Sequence, residues 1–251
     1  MHNRLNIAFP LLILVSMMVG CANDPLAGLP MFQRIKESRK LYAKAQEEIR
    51  NLKGDPIEED LKRIEKAVKL ITRAIEVIPN EPDYNFLYAY ILFNQGRYYE
   101  NQSVFWKSRA DGFRLIKETG EWVKARPLPD KDDRDTWRKK AEQHGDVASE
   151  FFNRVLQRLN ILDNLRPDNH LVLHLRGRTY VAMLEMKKAR EIFVRLSHDS
   201  RLTDAERDEM LRVVILIDKD EAYKKELKNE GSSLDEPGDL EDPGSGAPMP
   251  K

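Results

Sequence analysis

A single cysteine, Cys21, is the most reactive side chain in the sequence, and it directly follows a small residue, Gly20. A thiol that loses its proton becomes a nucleophile, so this position is open to alkylation, oxidation or disulfide exchange. Because the chain has no second cysteine, an intramolecular disulfide is excluded. An unmodified lone thiol in an oxidising compartment is exposed to wrong pairing. In such a compartment we therefore expect Cys21 to be covalently modified.

The segment before this cysteine is typical of an export signal. Residues 7–19 are almost wholly apolar, and Arg4 precedes them. At about 13 residues the run is too short to cross roughly 30 Å of hydrocarbon as a helix. Its length and its basic flank are those of the apolar region of a signal peptide. Residues 1–20 are therefore predicted to be a signal peptide.

The sequence Met18-Val19-Gly20-Cys21 resembles the lipobox of bacterial lipoproteins, with Met18 where that family prefers leucine. The resemblance implies that diacylglycerol alkylates the thiol, that cleavage follows before Cys21, and that acyl chains such as palmitate anchor the protein in a membrane. Residues 21–30 would then be a tether. Ala22 rather than Asp follows the cysteine, which in enteric-type sorting resembles an outer-membrane destination, facing the periplasm. The alternative is an ordinary secretory signal with a coincidental cysteine.

Other residues with catalytic or metal-binding chemistry are few. His170 and His174 are four residues apart on one predicted helix face, but Asp168 is better placed as the N-cap residue after Pro167. The adjacent acids Glu58-Glu59 and Asp132-Asp133 point to different sides of a helix, so neither pair forms a catalytic dyad. Phosphate-binding, nucleophile-elbow and zinc-protease motifs are absent. The sequence predicts no enzyme, no metal site and no cofactor.

The charge balance argues against a polyanionic partner such as nucleic acid. Lys and Arg total 42, Asp and Glu total 42, and the formal net charge is zero. Such a chain has no general electrostatic attraction to a phosphate backbone. Charged residues nonetheless make up 33% of the sequence. That proportion fits amphipathic helices with charged outer faces.

From residue 31 to residue 228 the pattern is helical, and no stretch shows the alternation expected of a strand. One helix is predicted to start at Asp55-Pro56-Ile57-Glu58 and another at the capping box Thr203 to Glu206. Residues 124–135 are predicted to be a linker. Residues 229–251 are acidic and rich in proline and glycine, so we expect a disordered tail. A stripe on the first of these helices is predicted to face a core: Leu61, Ile64, Ala67, Val68, Ile71, Ala74, Ile75 and Ile78.

Two stretches resemble the tetratricopeptide repeat family, which stacks antiparallel helix pairs. The first carries Ala67, Ile71, Ala74 and Pro79, followed by Tyr88, Ala89, Leu92, Gly96 and Tyr98. The second carries Pro167, Gly177, Tyr180, Ala189 and Phe193, with Leu184 where the turn glycine is expected. The resemblance implies an all-α fold of antiparallel helix hairpins stacked as a short solenoid, with Gly96 turning the chain. An irregular helical bundle is the alternative.

In such repeats the first helices line a concave groove, and the resemblance implies which positions face it. They are Asp83, Phe86, Tyr90, Phe93 and Asn94 in one repeat and Leu171, His174 and Arg178 in the later one. Rigid aromatic rings suit capture of an extended peptide or a helix, because they provide contact area at low entropic cost. The alternative is that these rings belong to the core.

These features together predict a membrane-anchored lipoprotein of the periplasm that acts as a scaffold for protein–protein interaction or as an assembly factor of the cell envelope. Its partners would be the membrane, through lipid on Cys21, and an unidentified envelope protein or peptide. The alternative is an envelope enzyme, for example one acting on peptidoglycan, whose site is assembled from scattered residues.

Overall fold

The structure is a computed structural model of the 251-residue chain. It describes residues 26, 28–50, 52, 56–116, 121–125 and 129–232, with side chains described as far as residue 222. The predicted signal peptide 1–20, Cys21 and residues 233–251 lie outside this part. None of the helices within it is long and apolar enough to span a membrane.

The described residues form seven helices and one two-stranded sheet, so the predicted all-α class is confirmed apart from that sheet. The chain divides into two compact units, Met1–Met183 and Leu184–Lys251. The first contains α1 Met31–Arg50, α2 Glu58–Val77, α3 Pro82–Ala110, β1 Phe113–Leu115, β2 Trp122–Lys124, α4 Lys131–Leu165 and α5 His170–Ala182. The second contains α6 Met186–Ser197 and α7 Asp204–Ser232.

The core of the first unit is built from stacked helix pairs, α1 with α2 and α3 with α4, and α3 also packs against α1 and α5. The predicted stripe on α2 is confirmed, because Ile64, Ala67, Ile71 and Ala74 are all fully buried. Small side chains along that stripe let the helices approach closely, so the core excludes water between α2 and its neighbours.

Gly96 does not turn the chain as the repeat pattern implied, because α3 continues as one helix to Ala110. A Cβ atom built on Gly96 would lie 2.6 Å from Cε1 of Phe152 on α4. Glycine is needed here for close approach of two helices. The sequence cannot separate these two uses of glycine, because Phe152, which approaches Gly96, lies more than fifty residues further along the chain.

The predicted linker 124–135 is shorter than expected, and its neighbourhood holds the sheet that the sequence did not reveal. Strand β2 pairs antiparallel with β1, with Leu115 opposite Trp122. Helix α4 already begins at Lys131, where the Asp130 side chain accepts a hydrogen bond from the Asp133 backbone N–H at 2.9 Å. Each strand has three residues, too few to show alternation.

Two of the predicted helix starts are shifted, and one is confirmed. Helix α2 has Ile57 as its N-cap, and the Asp60 carboxylate accepts from the Ile57 backbone N–H at 3.2 Å; the predicted cap Asp55 lies outside the described residues. For α5 the N-cap is Asn169. For α7 the capping box is present, with Glu206 accepting from the Thr203 backbone N–H at 2.8 Å.

The turn before α5 explains why Asp168 is not its cap. Asp168 has a φ of 59°, in the left-handed region. The side chain of Asn169 instead accepts from the backbone N–H of Leu171 at 2.9 Å. Leu184, where the repeat pattern expects a turn glycine, also has a positive φ of 58°. The backbone there therefore has the glycine-like conformation that the pattern implied, although the residue is leucine.

The second unit packs α6 against α7. Ala189 and Phe193 of the second repeat-like stretch are buried in it. The Arg190 guanidinium donates to the Asp218 carboxylate at 2.6 Å, and this hydrogen bond lowers the pKa of Asp218. Helix α7 ends at Ser232, so it includes residues 229–232, which the sequence assigned to the tail.

Candidate functional site

The predicted groove residues of α3 divide into surface and core. Asp83 is exposed, and Phe86 and Tyr90 are half-buried against the edge of the core. Phe93 and Asn94 are only 2% and 7% exposed, so the expectation that they line an open groove is wrong. Phe93 packs on Phe152 of α4, with ring centroids 5.9 Å apart. The long α4 helix supplies a ring that the repeat pattern did not include.

The α5 residues predicted for the groove lie beside this part of α3. The Arg178 guanidinium carbon is 4.9 Å from the centroid of the Phe93 ring, and the Arg178 side chain is exposed. His174 is half-buried and Leu171 is 50% exposed. A cation over a ring is attracted to its negative face, so Arg178 is held across the contact between α3 and α5.

Helix α1 adds an aromatic contact on the other side of α3 that the sequence did not predict. The rings of Tyr42 and Tyr84 stack with centroids 4.9 Å apart, and the two hydroxyls of Ser38 and Tyr84 lie 3.3 Å apart. Burial raises the pKa of Tyr42.

We call the half-exposed α3 surface of Asp83, Phe86 and Tyr90, together with His174 and Arg178 of α5, the α3–α5 face.

A second feature lies along the contact between α3 and α4, where positive side chains alternate with aromatic rings. We call it the cation–ring ladder. Its members are Tyr88, Tyr99, Phe105, Trp106 and Arg109 of α3, and Trp137, Lys140, His144, Phe151, Arg154 and Arg158 of α4. The sequence does not reveal the ladder, because its contacts between α3 and α4 join residues far apart along the chain.

At the α5 end of the ladder, two arginines of α4 contact one tyrosine of α3. The Arg158 guanidinium carbon is 4.9 Å from the centroid of the Tyr88 ring, and the same side chain donates to the Asn85 amide oxygen at 3.2 Å. Arg154 donates to the Tyr88 hydroxyl at 3.0 Å and lies 5.4 Å from the Phe151 ring. These contacts fix both guanidinium groups against ring faces.

In the middle of the ladder Tyr99 is held between two rings of α4. Its ring is parallel to that of Phe151 within 7°, at 5.7 Å, and stacks on His144 at 5.9 Å. Burial and, to a smaller extent, the charge of Lys140 lower the pKa of His144. The imidazole is therefore neutral at neutral pH and acts there as an aromatic ring.

All three tryptophans of the chain lie at the far end of the ladder. Trp106 and Trp137 belong to the ladder, and Trp122 contacts it. Lys140 Nζ lies 4.4 Å from the Trp106 ring, and the Arg109 guanidinium carbon lies 4.6 Å from the Trp137 ring. Trp122 of β2 meets the Phe105 ring edge-on at 5.6 Å. The small sheet thus places its one tryptophan against the end of α3.

An open cavity of about 370 Å³ adjoins this end of the ladder. It is lined by Pro56, Ile57, Glu58, Asn101, Gln102, Val104, Phe105 and Trp122. Ile57 and Val104 are more than half exposed, at 58% and 55%. An exposed apolar concavity with a few polar groups at its rim is the usual form of a binding pocket for a side chain or a small ligand.

The ladder cations differ in their partners from the arginines that form ion pairs. Within the described part of the chain, Arg109, Lys140, Arg154 and Arg158 have no carboxylate within 4.0 Å, and their neighbours are rings, hydroxyls and an amide. Other arginines pair with acids, as in Arg97–Glu100, Arg138–Asp135, Arg166–Asp83, Arg176–Asp163, Arg190–Asp218, Arg201–Asp199 and Arg207–Asp204. Among the described residues, the ladder therefore carries positive charge that no carboxylate within 4.0 Å neutralises.

The chain matches no protein-family model, no curated protein and no solved structure. Among the described residues no group of three His, Cys, Asp or Glu side chains is arranged to hold a metal ion. The two surfaces combine half-exposed rings, an apolar cavity and cations that have no carboxylate within 4.0 Å among the described residues.

Proposed function

We propose that the protein is a lipid-anchored scaffold of the cell envelope that binds a partner protein through its α3–α5 face. The observation that carries the proposal is the half-buried state of Phe86 and Tyr90 on α3, beside the exposed Arg178 of α5. Aromatic rings and arginine dominate the energetically important positions of protein interfaces. A partner that covers these rings would complete their burial.

The anchor in this proposal is lipid on Cys21, in the outer membrane and facing the periplasm. Its support is the apolar segment 7–19 and the lipobox-like sequence that ends at Cys21. One acyl chain holds a protein only marginally, whereas two or more hold it firmly, at about 0.8 kcal/mol for each buried CH₂ group. The helical body would then need no membrane segment of its own.

The proposed tetratricopeptide-like character rests on small residues and helix pairing. Ala67, Ala74, Ala89 and Gly177 are buried where that pattern places small side chains between helices. Helices α3 and α4, with 29 and 35 residues, are longer than the helices of a 34-residue repeat. We infer a solenoid whose middle hairpin is lengthened, and the lengthened part carries the far end of the ladder.

Site-specific photo-crosslinking in cells tests this function. A photoreactive amino acid at Phe86 should give a discrete adduct with an envelope protein, because this position lies on the proposed interface. Gln157, exposed on α4, is the control position and should give none. Equal adducts at both positions, or none at Phe86, would remove the proposed interface.

A further inference from the structure

The cation–ring ladder is suited to a task that the α3–α5 face does not perform. We propose that the ladder is a second docking surface, which binds an extended acidic polypeptide segment of a partner through the unpaired cations Arg109, Lys140, Arg154 and Arg158. The proposal concerns different residues from the α3–α5 face, so either surface can fail its test without the other.

The ladder cations are suited to charge complementarity with an acidic partner. In a chain with equal numbers of acids and bases, many arginines have a carboxylate neighbour, such as Arg176 with Asp163, whereas these four cations have ring neighbours. Stacking holds a guanidinium in place by its face and leaves N–H groups at its edge for a carboxylate. The fixed cations lose little conformational entropy when an anion binds.

The covered ring faces of the ladder indicate the kind of anion that it binds. Ring faces in the ladder are occupied: Arg158 covers Tyr88, Lys140 covers Trp106, and Phe151 and His144 flank Tyr99. Recognition of single-stranded nucleic acid depends on open aromatic faces on which bases stack. With those faces covered, the ladder offers mainly positive charge and N–H donors. These suit aspartate and glutamate side chains on a peptide.

The length of the ladder matches that of a short extended peptide. Lys140 and Arg158 are eighteen residues apart on α4, which is about 27 Å at 1.5 Å per residue. An extended peptide of roughly eight residues spans that distance. The cavity beside Val104 and Trp122 lies at the Lys140 end, where it would accept an apolar side chain at one end of the acidic segment.

Tryptophan fluorescence provides a direct test, because the three tryptophans of the chain lie at the far end of the ladder or against it. The purified full chain is titrated with a ten-residue glutamate-rich peptide carrying one terminal leucine. We expect a saturable change in emission that weakens at least tenfold between 50 and 300 mM salt, as ion pairing requires. A peptide with glutamine in place of glutamate should produce no change.

Variants of ladder residues test whether the change in tryptophan emission comes from peptide bound to the ladder. Lys140→Gln and the pair Arg154→Gln with Arg158→Gln should each raise the Kd at least tenfold, whereas Lys139→Gln, exposed and outside the ladder contacts, should leave it unchanged. Arg158→Lys keeps the charge and should retain most of the affinity if the fold is intact. No response to the acidic peptide, or an equal response to the glutamine peptide, overturns the proposal. A response to polygalacturonate but not to the peptide also overturns it, and indicates an acidic polysaccharide instead.

Discussion

Gly96 of α3 lies against Phe152 of α4 so closely that a Cβ on Gly96 would be 2.6 Å from the ring. The phenyl ring is itself only 2% exposed and has little room to move. The contact sets the separation of α3 and α4, and both faces proposed to bind partners are built on these helices or beside them.

Gly96→Ala is therefore expected to destabilise the protein by about 1–3 kcal/mol, because overpacking outweighs the gain in helix propensity. Chemical denaturation followed by circular dichroism measures the change. Gly145→Ala is the matched control, since its Cβ would meet only the Ser103 hydroxyl, at 3.3 Å, and its effect should be smaller. Equal midpoints for both variants would show that the close contact does not constrain the helices.

Leu184 makes the opposite prediction, because its φ of 58° is costly for a side chain with a Cβ. Its side chain is 76% exposed, so little packing is lost on removal. Leu184→Gly should raise the free energy of unfolding by about 0.5–1 kcal/mol, and Leu184→Val should lower it, since β-branching disfavours this conformation further. A denaturation midpoint that falls for Leu184→Gly and rises for Leu184→Val would contradict the left-handed conformation at residue 184.

His144 predicts a particular dependence of stability on pH. Burial lowers its pKa in the folded state, so the unfolded chain takes up the proton at a higher pH than the folded chain. The stabilisation from neutral His144 is fully present above the unfolded-state pKa of about 6.5. It is lost as the pH falls through that pKa toward the lower folded-state pKa. His144→Phe keeps a ring stacked on Tyr99 and should flatten the loss of stability between about pH 7 and 5. If the free energy of unfolding of His144→Phe depended on pH as it does in the wild type, His144 would not be the source of this loss of stability.

Cys21→Ser tests the proposed anchor. The variant should take up no radiolabelled palmitate and should remain unprocessed or leave the membrane fraction, because serine lacks the thiol that the lipid would alkylate. Wild-type protein labelled in parallel is the control. Retained label in the variant, together with retained fractionation in the outer membrane, would show that the anchor lies elsewhere.

The sequence predicted features whose physics is local. The stripe of Ile64 and Ile71 on α2 and the capping box of Thr203 and Glu206 depend on neighbours within a few residues, and both are present. What the sequence missed depends on a partner far along the chain. Phe93 was assigned to a groove, yet Phe152 of α4 covers it.

The ladder was missed for the same reason. Arg158 contacts Tyr88 across two helices, and no sequence period reveals that a cation of one helix covers a ring of another. Local spacing indicates the ion pairs Arg97–Glu100 and Arg138–Asp135. The ring contacts of Arg154 with Phe151 and of Arg109 with Trp106 are local as well, because each pair is three residues apart on its helix.

We expect Phe86 and Tyr90 to contribute more to partner binding than to the free energy of unfolding. Both are half-buried, so alanine at either position should lower the free energy of unfolding by only about 1–2 kcal/mol. Phe93→Ala, in the core beside them, should cost about 3–5 kcal/mol. This difference separates a surface role from a core role at neighbouring turns of one helix.

The most direct measurement combines stability and partner capture for the Phe86→Ala/Tyr90→Ala double variant. Cells expressing it are treated with a membrane-permeable crosslinker, and the adducts are compared with those of the wild type and of a Gln157→Ala control, while circular dichroism verifies the fold. We expect a folded double variant that loses a specific adduct which the control retains. A folded double variant with the full wild-type set of adducts would contradict it.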